Sequence, residues 1–179
     1  MAGRHGFTVG HSTHTLDALV RLLAAHGVRC VADVRRFPSS RRHPHFARDA
    51  LEAGLREHGI GYAHLEALGG RRSAARHSPN AGLENAAFRG YADHMGSAQF
   101  AAGLERLEGL AAAAPTAVMC AEALWWRCHR RLVADALVAR GWTVDHIGPD
   151  GRLTRHELTP IARVESGRLV YPATQLPLA

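Results

Sequence analysis

No lysine occurs anywhere in the chain: all 22 basic residues are arginine, set against 16 acidic ones for a net charge of +6. Codon bias in a GC-rich genome, which favours Arg, Ala and Gly, accounts for the missing lysine. It does not account for where the arginines fall. Long apolar runs are missing too. None approaches the roughly 20 residues that cross a bilayer, which excludes a membrane-spanning helix. Residues 1–6 hold no apolar signal core, so export is not expected. Cysteine is scarce: Cys30, Cys120 and Cys128 cannot all pair, and the first two sit in apolar, strand-like runs. A disulfide-stapled secreted domain is therefore excluded, and a reducing cytoplasmic setting is expected. His11, His14, Cys120, Cys128 and His129 match no standard zinc spacing, so neither a metal nor a cofactor is expected.

What is there suits one domain. The 179 residues, 46% of them apolar, are enough for a proper core. Residues 7–10 read as a short strand, and Leu16, Leu19, Val20 and Leu23 then share one face of a helix with Thr15 as its N-cap. Residues 30–35 form a second strand, followed by a Pro- and Ser-rich loop. A helix covers about residues 48–58 and a third strand 62–65. Residues 69–89 show no period and read as a long excursion. Phe100, Leu104, Leu107 and Ala111 mark another helix; Leu132, Val133, Ala136 and Leu137 mark the last. Residues 143–147 are the final core strand, and 161–171, around Ser166-Gly167, a terminal hairpin. Three times a helix ends in His or Arg, then glycine, then a strand: at His26-Gly27, His58-Gly59 and Arg140-Gly141. Such units predict one α/β domain over residues 1–179, with a mostly parallel sheet, helices on both faces and a short C-terminal hairpin. Its core spans about residues 8–147, and 148–179 are an extension.

Chemistry concentrates in residues 117–131, an apolar strand running into an amphipathic helix through Cys120, Glu122, Trp125, Trp126, Arg127, Cys128, His129, Arg130 and Arg131. In an open parallel sheet, loops after strands gather at one edge, where ligands bind. His11, Ser12 and His14 follow the first strand; Arg35, Arg36, Ser40, Arg41 and Arg42 the second; Arg71 and Arg72 the third. The expected partner at such a guanidinium-rich edge is nucleic acid or a phosphorylated small molecule, with no membrane involved.

Several of these residues carry a resemblance. Gly10-His11-Ser12, Asp33-Val34-Arg35 with Pro38 and Ser40-Arg41, Phe88, Tyr91-Ala92-Asp93, and Met119-Cys120-Ala121-Glu122 leading to Cys128-His129-Arg130 resemble domain-of-unknown-function family 488, over about residues 8–146. The resemblance implies a single bacterial, cytoplasmic α/β domain. Some members carry a DNA-repair label, which implies a link to nucleic acid and leaves the reaction open.

Three functions follow from the residues. In the first, Glu122 and Asp33, assisted by His11 and His129, cleave an N-glycosidic or phosphodiester bond by acid–base hydrolysis, with a base swung out of the duplex. Arg35, Arg41, Arg127 and Arg130 would hold phosphates, Ser12 and Ser40 would donate to them, and Trp125 and Tyr91 would face the substrate. In the second, Cys120 is the nucleophile of a rhodanese-like sulfurtransferase or phosphatase. Against it stands Glu122, whose charge would raise the thiol pKa, and a bulky Leu-Trp-Trp where small residues should wrap the thiolate with amides. In the third, the domain binds nucleic acid without catalysis. Beside each stands a plainer role: an ion pair for Asp33 or Glu122, a core position for Cys120, one tryptophan packed inward and one covering it.

Overall fold

A computed structural model of the chain describes residues 4–173. Its strands are β1 (His5–Gly10), β2 (Cys30–Asp33), β3 (Gly61–His64), β4 (Thr116–Cys120), β5 (Thr143–Ile147), β6 (Leu153–Arg155), β7 (Arg163–Glu165) and β8 (Arg168–Val170). The helices are α1 (Leu16–Ala25), α2 (Arg48–Glu57), α3 (Ala86–Met95), α4 (Ala98–Ala113) and α5 (Arg130–Ala139). Six strands form one sheet in the order β3-β2-β4-β1-β5-β6, parallel except for β6, while β7 and β8 pair as a separate hairpin. The expected mostly parallel α/β layer with a C-terminal hairpin is therefore what the chain forms.

Every residue of β4 is buried, as expected of a strand covered on both faces. Successive side chains point to opposite sides. Ala117 and Met119 pack with Leu19, Leu23, Leu51 and Leu55 beneath α1 and α2. Val118 and Cys120 pack with Leu104, Leu132, Val133 and Leu137 beneath α4 and α5. That parity puts the Cys120 thiol on the α5 side. The three helix-ending glycines adopt positive φ, 67° at Gly27, 70° at Gly59 and 83° at Gly141, where a side chain would be strained.

Three details differ from the sequence reading. The second strand stops at Asp33 rather than residue 35, because the Asp33 carboxylate accepts the Arg35 amide and turns the chain. The excursion from residue 69 ends early: Asn85 caps a helix by accepting from the Ala87 and Phe88 amides, so α3 begins at Ala86. Asp93 of α3 then ties the excursion down by accepting from Ala75 N, Ser78 Oγ and Asn80 Nδ2. The third is β6, an exposed three-residue edge strand with no hydrophobic period to announce it. No described helix is long and apolar enough to cross a membrane.

Candidate active site

β1 and β4 are neighbours, but the chain leaves β1 toward β2 and leaves β4 toward β5, on opposite sides of the sheet. Their loops part at this point, and such a switch point opens a crevice at the strand ends. A cavity of about 380 Å³ occupies it. Cys120 and Cys128 are buried beside His129, His11 and Arg35 form a buried wall, and Glu122, Arg36, Phe37, Arg71, Ser39 and Ser40 surround the mouth. Glycine makes the closure possible. A Cβ on Gly10 would overlap the Glu122 carbonyl, so the turn after β4 crosses β1 only because position 10 has no side chain. A Cβ on Gly70 would sit 2.8 Å from His129 Nδ1.

Asp33 takes no part in the cavity surface. It is fully buried, and its oxygens accept from Arg35 Nε (2.9 Å), Arg35 Nη2 (2.6 Å), the Arg35 amide (3.0 Å) and Tyr62 Oη (2.6 Å). A carboxylate engaged in this way has no oxygen free to take a substrate proton; it positions Arg35. Arg35 is engaged in turn. Its Nη1 donates to the Phe46 carbonyl (2.8 Å) and, more loosely, to His11 Nε2 (3.4 Å). The expected catalytic acid and phosphate clamp are thus one satisfied, charge-neutral pair, with Arg35 in the wall and Asp33 behind it. Burial drives Tyr62 well above the usual phenol range, assisted by Asp33, so it stays a donor.

The thiols are arranged otherwise. Cys120 Sγ and Cys128 Sγ stand 2.8 Å apart, and both cysteines are free. Burial alone would raise the Cys120 thiol. The hydrogen bond from Cys128 and then the Arg130 charge outweigh it, and the result lies below the ordinary thiol value. Cys128 is raised, first by its hydrogen bond to Cys120 and then by burial. The two directions make Cys120 the more acidic thiol of the pair. Arg130 sits beneath it, 1% exposed, with Nη2 donating to the Ala123 carbonyl (2.8 Å) and with Nε and Nη1 lacking partners. Among the described residues it forms no ion pair with a carboxylate. A guanidinium so far out of water favours an anion nearby, and its charge acts on the Cys120 thiol.

Both cavity histidines are neutral acceptors at physiological pH. Burial lowers His11 to about 4, with Arg35 adding to the effect. His11 Nδ1 donates to the Ser12 carbonyl (3.0 Å), and its ring stacks on Phe46 at 4.1 Å. Burial also lowers His129 to about 4, against the opposing pull of the Val34 carbonyl. Because Nε2 donates to Val34 (3.0 Å), the lone pair of Nδ1 faces Cys128 Sγ at 3.5 Å.

Of the residues singled out in the sequence, His11, Arg35, Ser40, Cys120, Glu122 and His129 meet at this cavity. Glu122 is exposed and accepts from the Leu124 amide at 3.3 Å. The remainder lie elsewhere. Ser12 turns away with a φ of 45°. Arg41 and Arg127 are exposed beyond the lining. Tyr91 is buried, donating to the Leu68 carbonyl with its ring 4.9 Å from His129. Trp125 packs inward, stacked on His146 at 4.0 Å, while Trp126 stays 49% exposed. Of the nine arginines expected at this edge, only Arg35, Arg36 and Arg71 line the cavity. The functional residue that had drawn no role of its own is Cys128. Its only sequence signal is a second thiol across one turn from a strand-end cysteine. No described group of three or more His, Cys, Asp or Glu side chains could hold a metal. A second cavity, of about 310 Å³ beneath the β7–β8 hairpin, has mainly apolar walls such as Met95, Phe100, Leu104 and Leu169, and no thiol.

No curated protein and no solved structure matches the chain. A family model described as "Domain of unknown function DUF488" matches residues 15–137, a span that holds α1, the Asp33–Arg35 pair, both cavity thiols and Arg130. That is well over half of the sequence, and the chain belongs to this family.

Proposed function

We propose that the protein is a sulfurtransferase in which the Cys120 thiolate takes a sulfane sulfur from a small anionic donor held in the cavity that Arg36 and Arg71 line. The observation that carries this reading is the Cys120–Cys128 contact above an unpaired, buried Arg130. A thiolate is a strong nucleophile toward sulfur, and here it persists through a hydrogen bond and a guanidinium. The objection from Glu122 loses weight, because its side chain is exposed at the mouth and its charge is the least of the influences on the thiol. Phosphoryl transfer at the same sulfur is disfavoured. The missing amide wrap counts against both cysteine reactions but more against this one, since a phosphatase loop must offer amides to the phosphoryl oxygens, and here the Glu122 carbonyl accepts from the Cys120 thiol at 3.6 Å. Acid–base hydrolysis is left with one carboxylate in the lining, Glu122. Both cysteines are buried at the wall of a cavity of about 380 Å³, which suits a small donor better than a protein disulfide. A dithiol kept reduced belongs in the cytoplasm.

Incubation with thiosulfate tests the assignment: sulfite should appear, with the outer sulfur first bound to Cys120 and held there as a persulfide in Cys128→Ser. Cys120→Ser should abolish both, and Glu122→Gln should retain them. Base release or strand cleavage on a nucleic-acid substrate that survives Cys120→Ser and fails in Glu122→Gln would instead establish the hydrolytic mechanism. A nucleic-acid surface is the second reading. It is favoured by exposed Arg41, Arg42 and Arg127 and by Phe37 and Trp126, 59% and 49% exposed. Salt-dependent oligonucleotide binding weakened by Arg41→Ser and Trp126→Ser would support it; binding indifferent to both would remove it.

A further inference from the structure

We infer that Cys128 is the resolving thiol of this site: it attacks Cys120 Sγ in the covalent adduct, expels the transferred group, and leaves a Cys120–Cys128 disulfide that an external dithiol must reduce. The inference rests on Cys120 being the nucleophile and extends it to a second catalytic residue, a defined leaving group and a required co-substrate. Three observations carry it. The two sulfur atoms, at 2.8 Å, are within about 1 Å of covalent S–S separation, with no side chain between them. They come from separate elements, the end of β4 and the residues just before α5, which the fold brings side by side. His129 Nδ1, at 3.5 Å, gives the Cys128 proton somewhere to go.

The order of events follows from the same contacts. While Cys120 is a thiolate, its charge and hydrogen bond hold the proton on Cys128. Capping Cys120 takes that charge off Sγ, moving it to the outer sulfur of a persulfide or removing it in a neutral mixed disulfide. Cys128 can then turn its S–H to the imidazole, and it becomes the more reactive sulfur only after the first step is complete. With a thiosulfate-like donor, the Cys120 thiolate bonds to the outer sulfur, the S–S bond of the donor breaks, and sulfite departs with the electron pair. Cys128 then bonds to Cys120 Sγ, the Cys120–outer sulfur bond breaks, and the outer sulfur leaves as hydrosulfide carrying the Cys128 proton. Both cysteines are now oxidised by two electrons in total. A dithiol returns them by exchange, becoming a disulfide itself. Without that reductant the protein stops after one turnover.

Methyl methanethiosulfonate separates the resolving step from the identity of the natural donor, because it places a methylthio group on an accessible thiolate and releases methanesulfinate. Full-length protein is treated with one equivalent, without reductant, and followed by methanethiol release and by peptide mass mapping, which distinguishes Cys30. The expected result is one methanethiol per chain and a Cys120–Cys128 disulfide, two hydrogens lighter than the dithiol. Cys128→Ser should keep the methylthio group on Cys120 and release no methanethiol; Cys128→Ala provides the same reading without a hydroxyl. A wild-type chain that retains the adduct, with Cys128 still open to alkylation, would overturn the resolving role while leaving Cys120 as nucleophile. No adduct at Cys120 in any variant would overturn both. Resolution with this reagent, but no sulfite from thiosulfate, would support the resolving role and remove the sulfane-sulfur donor.

Discussion

Two buried arginines flank the cavity, and they have opposite surroundings. Arg35 is 8% exposed and faces Asp33 through paired hydrogen bonds, with the Phe46 carbonyl and Tyr62 completing the cluster. Arg130 is 1% exposed and has one carbonyl and no carboxylate. A guanidinium with all its partners is a structural unit, for which desolvation is offset by hydrogen bonds already made. One without them stays electrostatically demanding, and here the demand falls on a thiol. The first arginine fixes the wall of the cavity; the second sets the ionisation of its floor.

The contrast breaks most visibly if the two regions respond alike to losing a charge. Asp33→Asn leaves Arg35 buried without its counter-ion and should cost about 3–5 kcal/mol in urea unfolding. Equal losses from Asp33→Asn and Arg130→Met would erase the distinction. Acid comes next. His11 and His129, at about 4, and His146, at about 3 through burial and then the charge of His156, all bind protons more weakly folded than unfolded. Their contribution is therefore complete above the unfolded value and declines as pH falls from 6.5 toward 4. At pH 5 each should have lost about 2 kcal/mol, visible as a lower melting temperature than at pH 7. His129→Asn should flatten that slope by its own share. Tyr62→Phe removes one donor from Asp33 and should cost about 1.5 kcal/mol, with the Cys120 alkylation rate unmoved. Arg130→Met, which replaces an unsatisfied cation by an apolar chain, should change stability by less than about 1 kcal/mol.

How much of this could be read from the sequence depends on the distance over which partners meet. The parallel sheet was legible because each helix announces its own end: His26-Gly27, His58-Gly59 and Arg140-Gly141 are local signals, and all three glycines take positive φ. The gathering of His11, Cys120, Glu122 and His129 at one edge followed from topology alone. What failed to show was side-chain direction. Asp33 and Arg35, two residues apart, look like free site groups in a string of letters, yet the chain turns at Val34 and they bind each other. Cys128 lies eight positions beyond Cys120 with a 3-10 turn at Trp125–Arg127 between them, so no single helix or strand carries both and no periodicity joins them. Helix α3 was hidden because its start depends on the Asn85 cap rather than on apolar repetition.

The most direct test of the thiolate–guanidinium arrangement is the pH dependence of Cys120 alkylation, followed by mass-resolved labelling in wild-type protein and in Arg130→Met. The wild-type thiol should titrate below a free cysteine and shift upward in the variant, with labelling at neutral pH about tenfold slower. A Cys120 that titrates at or above the free value in wild type, or that ignores the loss of Arg130, would contradict it.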